Sequence, residues 1–323
     1  MSPKGKRPHY GLLDTVRGVC ILSMVAYHGM YDLVDIFGLP SAWYTGLPGY
    51  IWQQSICWTF ILLSGICWQL SRHHVKRGLL LVGCGAAISL ITWLAMPSQR
   101  ILYGVLNLLG LSALLLIPLD KVFRKIPAWA GLGGALLLFA LTKNVSRGSL
   151  GFEGLVLCQL PSWLYATDLF AVAGFPSPGF WSTDYFPLLP WFFLFCAGYF
   201  LWGLLSQSER AKERLAAGVR PLGFRGRHSL IIHPAHPPVL MGVFLAADLF
   251  TLFVFFEMMS FTSYVWVAQE ETEEALRAAA TYLAIAVACG LVLLMGVFLL
   301  YGAAGTLEFE ALGALVRGAG PAS

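Results

Sequence analysis

The first apolar run, LLDTVRGVCILSMVAYHGMYDL, carries four side chains able to do chemistry: Asp14, Arg17, His28 and Asp32. Asp14 and Arg17 stand three residues apart, so on a helix they share a face and can pair. His28 follows Arg17 by eleven residues, which is roughly 16 Å along the axis at 1.5 Å per residue. Asp32 comes one turn later, near the same face. A carboxylate beside an imidazole favours its charged form and can orient it as a general base. The plainer reading makes Asp14–Arg17 a helix-end ion pair and His28 an interhelical hydrogen bonder. Ionisable residues within an apolar span are nonetheless functional candidates from the outset.

A second concentration lies in SLIIHPAHPPVLMGVFLAADLFTLFVFFEMMS, residues 229–260. Here His233 and His236 stand among Pro234, Pro237 and Pro238, and a single glutamate, Glu257, interrupts the apolar run that follows. Histidines at i and i+3 could share a metal ion, but no third ligand is evident, so no metal is expected. Glu257, buried without a partner, would be protonated, because desolvation raises a carboxyl pKa. The seven cysteines form no CxxC pair or other metal spacing. They read as small buried hydrophobes.

These candidates must be held by membrane helices. The 323 residues are 58% hydrophobic and 12% charged, with a mean hydropathy of +0.71. Soluble domains carry roughly 25% charged residues, so the composition implies an all-α, polytopic transmembrane bundle in contact with a lipid bilayer. A hydrocarbon core of about 30 Å takes roughly 20 apolar residues per helix. On that template the spans fall near residues 11–34, 51–70, 78–96, 101–119, 128–142, 187–205, 229–247, 249–268 and 278–301, about nine in all. The basic N-terminal segment before the first span lacks a small-residue cleavage site after the apolar run, which reads as a retained helix rather than a signal peptide.

Basic residues alternate from loop to loop. They concentrate before the first span (Lys4, Lys6, Arg7) and after the second (Arg72, Lys76, Arg77). They recur after the fourth (Lys121, Arg124, Lys125) and the sixth (Arg210, Lys212, Arg214, Arg220, Arg225, Arg227). By the positive-inside rule the N-terminus is cytoplasmic. The net charge of +4 is distributed as topology requires, and no nucleic-acid partner is expected. The long stretch from Lys143 to Phe186 would then face outward. Its Gly, Pro and aromatic residues suit either a lid over a cavity or a segment at the lipid interface.

The run LDTVRGVCILSMVAYH resembles the first helix of the heparan-alpha-glucosaminide N-acetyltransferase-like family of bacterial membrane proteins. FILLSGICWQLSR, RGLLLVGCGAAISLITWL, ILYGVLNLLGLSALLL, FPLLPWFFLFCAGYFLWG and RHSLIIHPAHPPVL resemble later pieces in the family's order, across residues 9–241. That resemblance implies acyl transfer from cytoplasmic acyl-CoA (acetyl-CoA) to a sugar amine or hydroxyl on the far side of a bacterial inner membrane. It casts His28, Asp32 and His236 as catalytic candidates, and Asp14, Arg17 and Asn107 as donor-binding ones. His236 takes the histidine position of the family's closing motif. Asn107 stands where the family pattern carries histidine or glutamine.

Beyond Met241 the pattern changes. DLFTLFVFFEMMSFTSYVWVAQEETEEALRAAATYLAIAVACGLVLLMGVFLLYGAAGTLEF resembles part of an antiporter-like membrane subunit of respiratory complex I and of the sodium/proton antiporters. The resemblance makes Glu257 a proton-transfer candidate, but the lysine partner it implies is missing: no lysine follows Lys212. The expected division is therefore an acyltransferase-like domain over residues 1–241 and antiporter-like helices over residues 242–323, which would take helix partners. A proton-translocating subunit and a solute transporter without chemistry remain the alternatives.

Overall fold

The computed structural model describes residues 10–36, 39–95, 100–217, 248–253, 273–309 and 311–312. The chain enters as α1 (Gly11–Tyr31), whose last turn loosens into a π-helical turn over Asp32–Ile36. The short α2 (Ala42–Thr45) leads to α3 (Leu47–Leu70), α4 (His74–Ala95), α5 (Val105–Phe123) and α6 (Ala128–Thr142). After a hairpin of β1 (Ser149–Phe152) and β2 (Leu155–Gln159) come α7 (Leu188–Leu205) and α8 (Glu209–Ala216). The long α9 (Glu273–Ala304) follows.

Contacts divide the chain into two units, residues 1–20 with 49–227 and residues 21–48 with 228–323. In the first, α4 packs on α5 and α6 on α7. The closest approach is that of α3 to α7, where Gly65 faces the backbone of Phe195 and Gly198 faces that of Leu62. Membrane helices gain little from hydrophobic burial against one another, so small residues that let backbones touch set such contacts. Leu13, Leu63, Ile66, Trp202 and Leu215 form a buried cluster around this seam, with Tyr10 edge-on to Trp202 at 5.0 Å. In the second unit Tyr27 packs on Tyr44 at 5.2 Å between ring centroids.

Local chemistry sets the ends. Gly104, in extended conformation, precedes α5, and Pro127 precedes α6 where its missing N–H costs nothing. Ser208 caps α8 by accepting from Ala211 N at 3.4 Å.

The helical membrane class expected from composition holds, with the one hairpin as its only described sheet. Five described helices are long and apolar enough to cross a membrane: His74–Leu94, Val105–Phe123, Ala128–Arg147, Leu188–Leu205 and Val287–Ala304. α1 and α3 reach comparable lengths of 21 and 24 residues, but polar side chains such as Asp14, Arg17, Gln54 and Gln69 dilute them. The expected span near 229–247 lies outside the described residues. Of that near 249–268, residues 249–253 are described, and they are helical.

Candidate functional site

Polar side chains gather at both ends of α3, and the helix itself measures the gap. From Tyr50 to Cys67 is seventeen residues, about 25 Å, close to the hydrocarbon thickness of a bilayer.

At the Cys67 end, Arg17 Nη1 pairs with Asp14 Oδ1 at 3.2 Å, both side chains less than one-fifth exposed. Its Nη2 donates to Cys67 Sγ at 2.7 Å, tying α1 to α3. The expected i,i+3 pair therefore forms. It has also acquired a thiol that its spacing could not announce. Around it, Tyr199 Oη donates to Asp120 Oδ1 at 2.6 Å, and Arg124 Nε donates to Asp120 Oδ2 at 2.8 Å. Gln69 Nε2 donates to Tyr199 O at 2.8 Å, and the His74 ring stacks on Trp68 at 4.0 Å. Asp120 thus joins α5 to α7, and basic residues crowd the loops beside it.

The opposite end is built from four elements. Gln54 Oε1 on α3 accepts from Trp58 Nε1 at 2.9 Å and from Lys143 Nζ at 3.1 Å. Two donors on one oxygen fix the orientation of the amide. Lys143 caps the C-terminus of α6, where a cation suits the helix dipole. Its ammonium lies 4.5 Å from the centre of the Trp191 ring on α7. Glu153, in the hairpin turn, lies 3.7 Å from Lys143 Nζ and 3.8 Å from Arg147 Nη1. The hydrogen bond it accepts comes instead from Tyr50 Oη, at 2.5 Å. Glu153 holds this place with a left-handed backbone, φ +49°, uncommon for a residue with a side chain. Beneath it Asn144, fully buried, donates to the carbonyls of Glu153 and Leu155 at 2.9 and 3.3 Å and so fixes the turn.

Close to the start of α5, Asp184 Oδ2 accepts from Val105 N at 3.3 Å. Burial pushes its carboxyl up to about 6, against the smaller opposing effect of that bond. Tyr185 Oη donates to Ala171 O at 2.6 Å, and its phenol is pushed above the usual range, mainly by burial.

Of the sequence-derived candidates, Asp14 and Arg17 are brought together. His28 lies in the last turn of α1, half-buried, with the Tyr27 ring edge-on at 6.3 Å. Asp32 opens the π-helical turn that follows α1, and its side chain lies outside the described residues. Asn107 Oδ1 occupies the space over Gly85 and so joins α5 to α4 in a packed contact. His236 and Glu257 lie outside the described residues. Sequence reasoning passed over Tyr50, Gln54, Lys143, Glu153 and Asp184. The available signal was a lysine and a glutamate ten residues apart at the exit of a span, opposite a glutamine inside another.

Residues 9–238 match the model of the family described as heparan-alpha-glucosaminide N-acetyltransferase, catalytic. Residues 246–321 match the transmembrane model of the NADH:quinone oxidoreductase/Mrp antiporters. Curated relatives align with this second part. The chain is 45% identical over 73 residues to a probable K(+)/H(+) antiporter subunit of Rhizobium meliloti, covering 23% of this chain and 14% of that protein. It is 41% identical over 73 residues to a putative antiporter subunit, mnhD2, of Staphylococcus epidermidis, covering 23% and 15%. The chain thus spans about one-seventh of the curated relatives it matches. No solved structure matches. With more than two-thirds of its length in that match, the chain belongs to the heparan-alpha-glucosaminide N-acetyltransferase catalytic family, as a membrane acyltransferase-like protein with an antiporter-like segment after it.

Proposed function

We propose that residues 1–241 form a membrane acyltransferase that moves an acetyl or other acyl group from acyl-CoA to a sugar amine or hydroxyl across a bacterial inner membrane. The observation that carries this reading is the pair of polar clusters at the two ends of α3, about 25 Å apart, within the region that matches the family. The Arg17 end is cytoplasmic in this reading. Arg17, held by Asp14, and the basic loops attract the anionic donor, while Asn107, near the opposite end of α5, steadies the α4–α5 contact. The hairpin end faces outward and receives the acceptor. His28, toward the far end of α1, is the base: it takes the proton of the acceptor nitrogen or oxygen as that atom attacks the thioester carbonyl. The C–S bond breaks, an amide or ester forms, and CoA leaves as its thiol. Asp32 orients His28 in this reading, and His236 is the further catalytic candidate.

The test is acyl-CoA turnover by purified protein. His28→Ala should abolish transfer while leaving the protein folded and able to bind acyl-CoA. A mutant turning over at the wild-type rate would remove His28 from the mechanism.

The second reading is proton or ion translocation by residues 242–323, favoured by the antiporter match. Glu257 is its proton carrier. In that reading the segment works with helices from a partner, since alone it supplies a small part of an antiporter subunit.

A further inference from the structure

Lys143 is the least exposed cation at the hairpin end, with a side chain 10% exposed. An ammonium has three donors. Among the described residues one is spent on Gln54, and the Trp191 face takes part of the charge without accepting a conventional hydrogen bond. Glu153 stands too far from Lys143 and Arg147, at 3.7 and 3.8 Å, to accept a good hydrogen bond from either. Its acceptor capacity is turned toward Tyr50 instead. Two cations therefore share one carboxylate at a distance and keep donors for another anion.

Beside that charge lies hydrocarbon. β2 begins two residues after Glu153, and its side chains Leu155, Val156 and Leu157 are 50–60% exposed. The sheet has two strands, so the far edge of β2 is unpaired among the described residues. α6 before the hairpin and α7 after it are both apolar enough to cross a membrane. A segment tethered to both sits at headgroup depth, where an apolar strand beside a cationic cluster matches a lipid that carries a phosphate.

We propose that the hairpin end binds the phosphate of a lipid-borne ligand, with Lys143 and Arg147 donating to its oxygens and β2 lying along its hydrocarbon. This rests on the acceptor-side assignment above and narrows it: the acceptor is a sugar carried on a lipid phosphate, reaching the site sideways from the bilayer.

The experiment uses the full chain in a non-ionic detergent, without acyl-CoA, so its failure is distinguishable from failure of the transferase reading. Native mass spectrometry measures binding of dioctanoyl phosphatidic acid, dioctanoylglycerol and glycerol 3-phosphate. Phosphatidic acid should bind at least about tenfold more tightly than dioctanoylglycerol, the effect of one charge-assisted hydrogen bond. Glycerol 3-phosphate should fail to displace it at equal concentration. Lys143→Gln and Arg147→Gln should each weaken phosphatidic acid about tenfold, and Leu157→Ser should weaken it without altering glycerol 3-phosphate. Arg147 is 67% exposed, so its replacement leaves the fold intact even where that of Lys143 does not. Equal binding of dioctanoylglycerol, or wild-type affinity in Arg147→Gln, would overturn the phosphate site. Displacement by glycerol 3-phosphate, or an unaffected Leu157→Ser, would overturn the lipid source.

Discussion

At the residue scale, this protein places ionisable groups where burial and a few named partners decide their state. Asp184 is the clearest case outside the spans. Its carboxyl rises from the ordinary 3.8 to about 6, chiefly by burial. A raised acid binds its proton more tightly in the folded chain than in the unfolded one. Its contribution to stability is therefore complete below pH 3.8 and is lost as pH rises through 6. The full difference is on the order of 2–3 kcal/mol at 1.36 kcal/mol per unit. Asp184→Asn should flatten the fall in thermal stability between pH 4 and 6.5 while keeping the bond from Val105 N through its amide oxygen. Melting curves of mutant and wild type across that range check this, and parallel curves would deny Asp184 the effect. The site's other ionisable groups resisted sequence reading for a simple reason. Lys143 and Gln54 are 89 residues apart, and Tyr50 and Glu153 are 103. No local spacing announces such a meeting, whereas Asp14–Arg17 was legible because helix geometry alone puts i beside i+3.

At the scale of elements, hydropathy located helices well and irregular segments poorly. The span expected near 128–142 coincides with α6, and those near 51–70 and 187–205 agree with α3 and α7 within a few residues. The span expected near 101–119 starts later, at Val105. Arg100–Tyr103 bonds instead to the segment before α7, with Thr183 N donating to Arg100 O and Phe186 N to Tyr103 O at 3.0 and 2.9 Å. β2 left no alternating pattern because it is exposed along its whole length and buries neither face. What hydropathy could not reveal is how α3 meets α7. A Cβ at Gly198 would collide with Leu62 O, and one at Gly65 with Phe195 O. Backbone against backbone leaves no flexible side chain to yield. Gly198→Ala should thus destabilise by about 3 kcal/mol, the upper part of the overpacking range, despite alanine's better helix propensity. Gly133→Ala on α6, where nothing lies within 4 Å, is the control and should hold or gain stability. Detergent melting temperatures decide it: equal values for the two variants would mean that α3 and α7 do not touch through glycine.

At the scale of the whole molecule, two patterns of different parentage share one chain, and the question is whether their chemistries are coupled. The antiporter-like match begins eight residues after the acetyltransferase match ends. Its aligned portion is a seventh of its curated relatives, and its carboxylate candidate, Glu257, has no lysine after it in sequence. A proton path needs groups that exchange protons in series. The acyltransferase reading requires none of this, because its proton moves from acceptor to His28 and leaves with the thiol. Glu257→Gln removes the exchangeable proton at nearly constant volume, so it separates the two. In proteoliposomes it should leave acyl transfer within about twofold of wild type, a change of under 0.5 kcal/mol in the barrier. Any ionophore-sensitive proton flux carried by the chain should vanish with it. A large loss of transfer in Glu257→Gln would mean that proton movement through the C-terminal helices drives the N-terminal chemistry, making the two segments one machine.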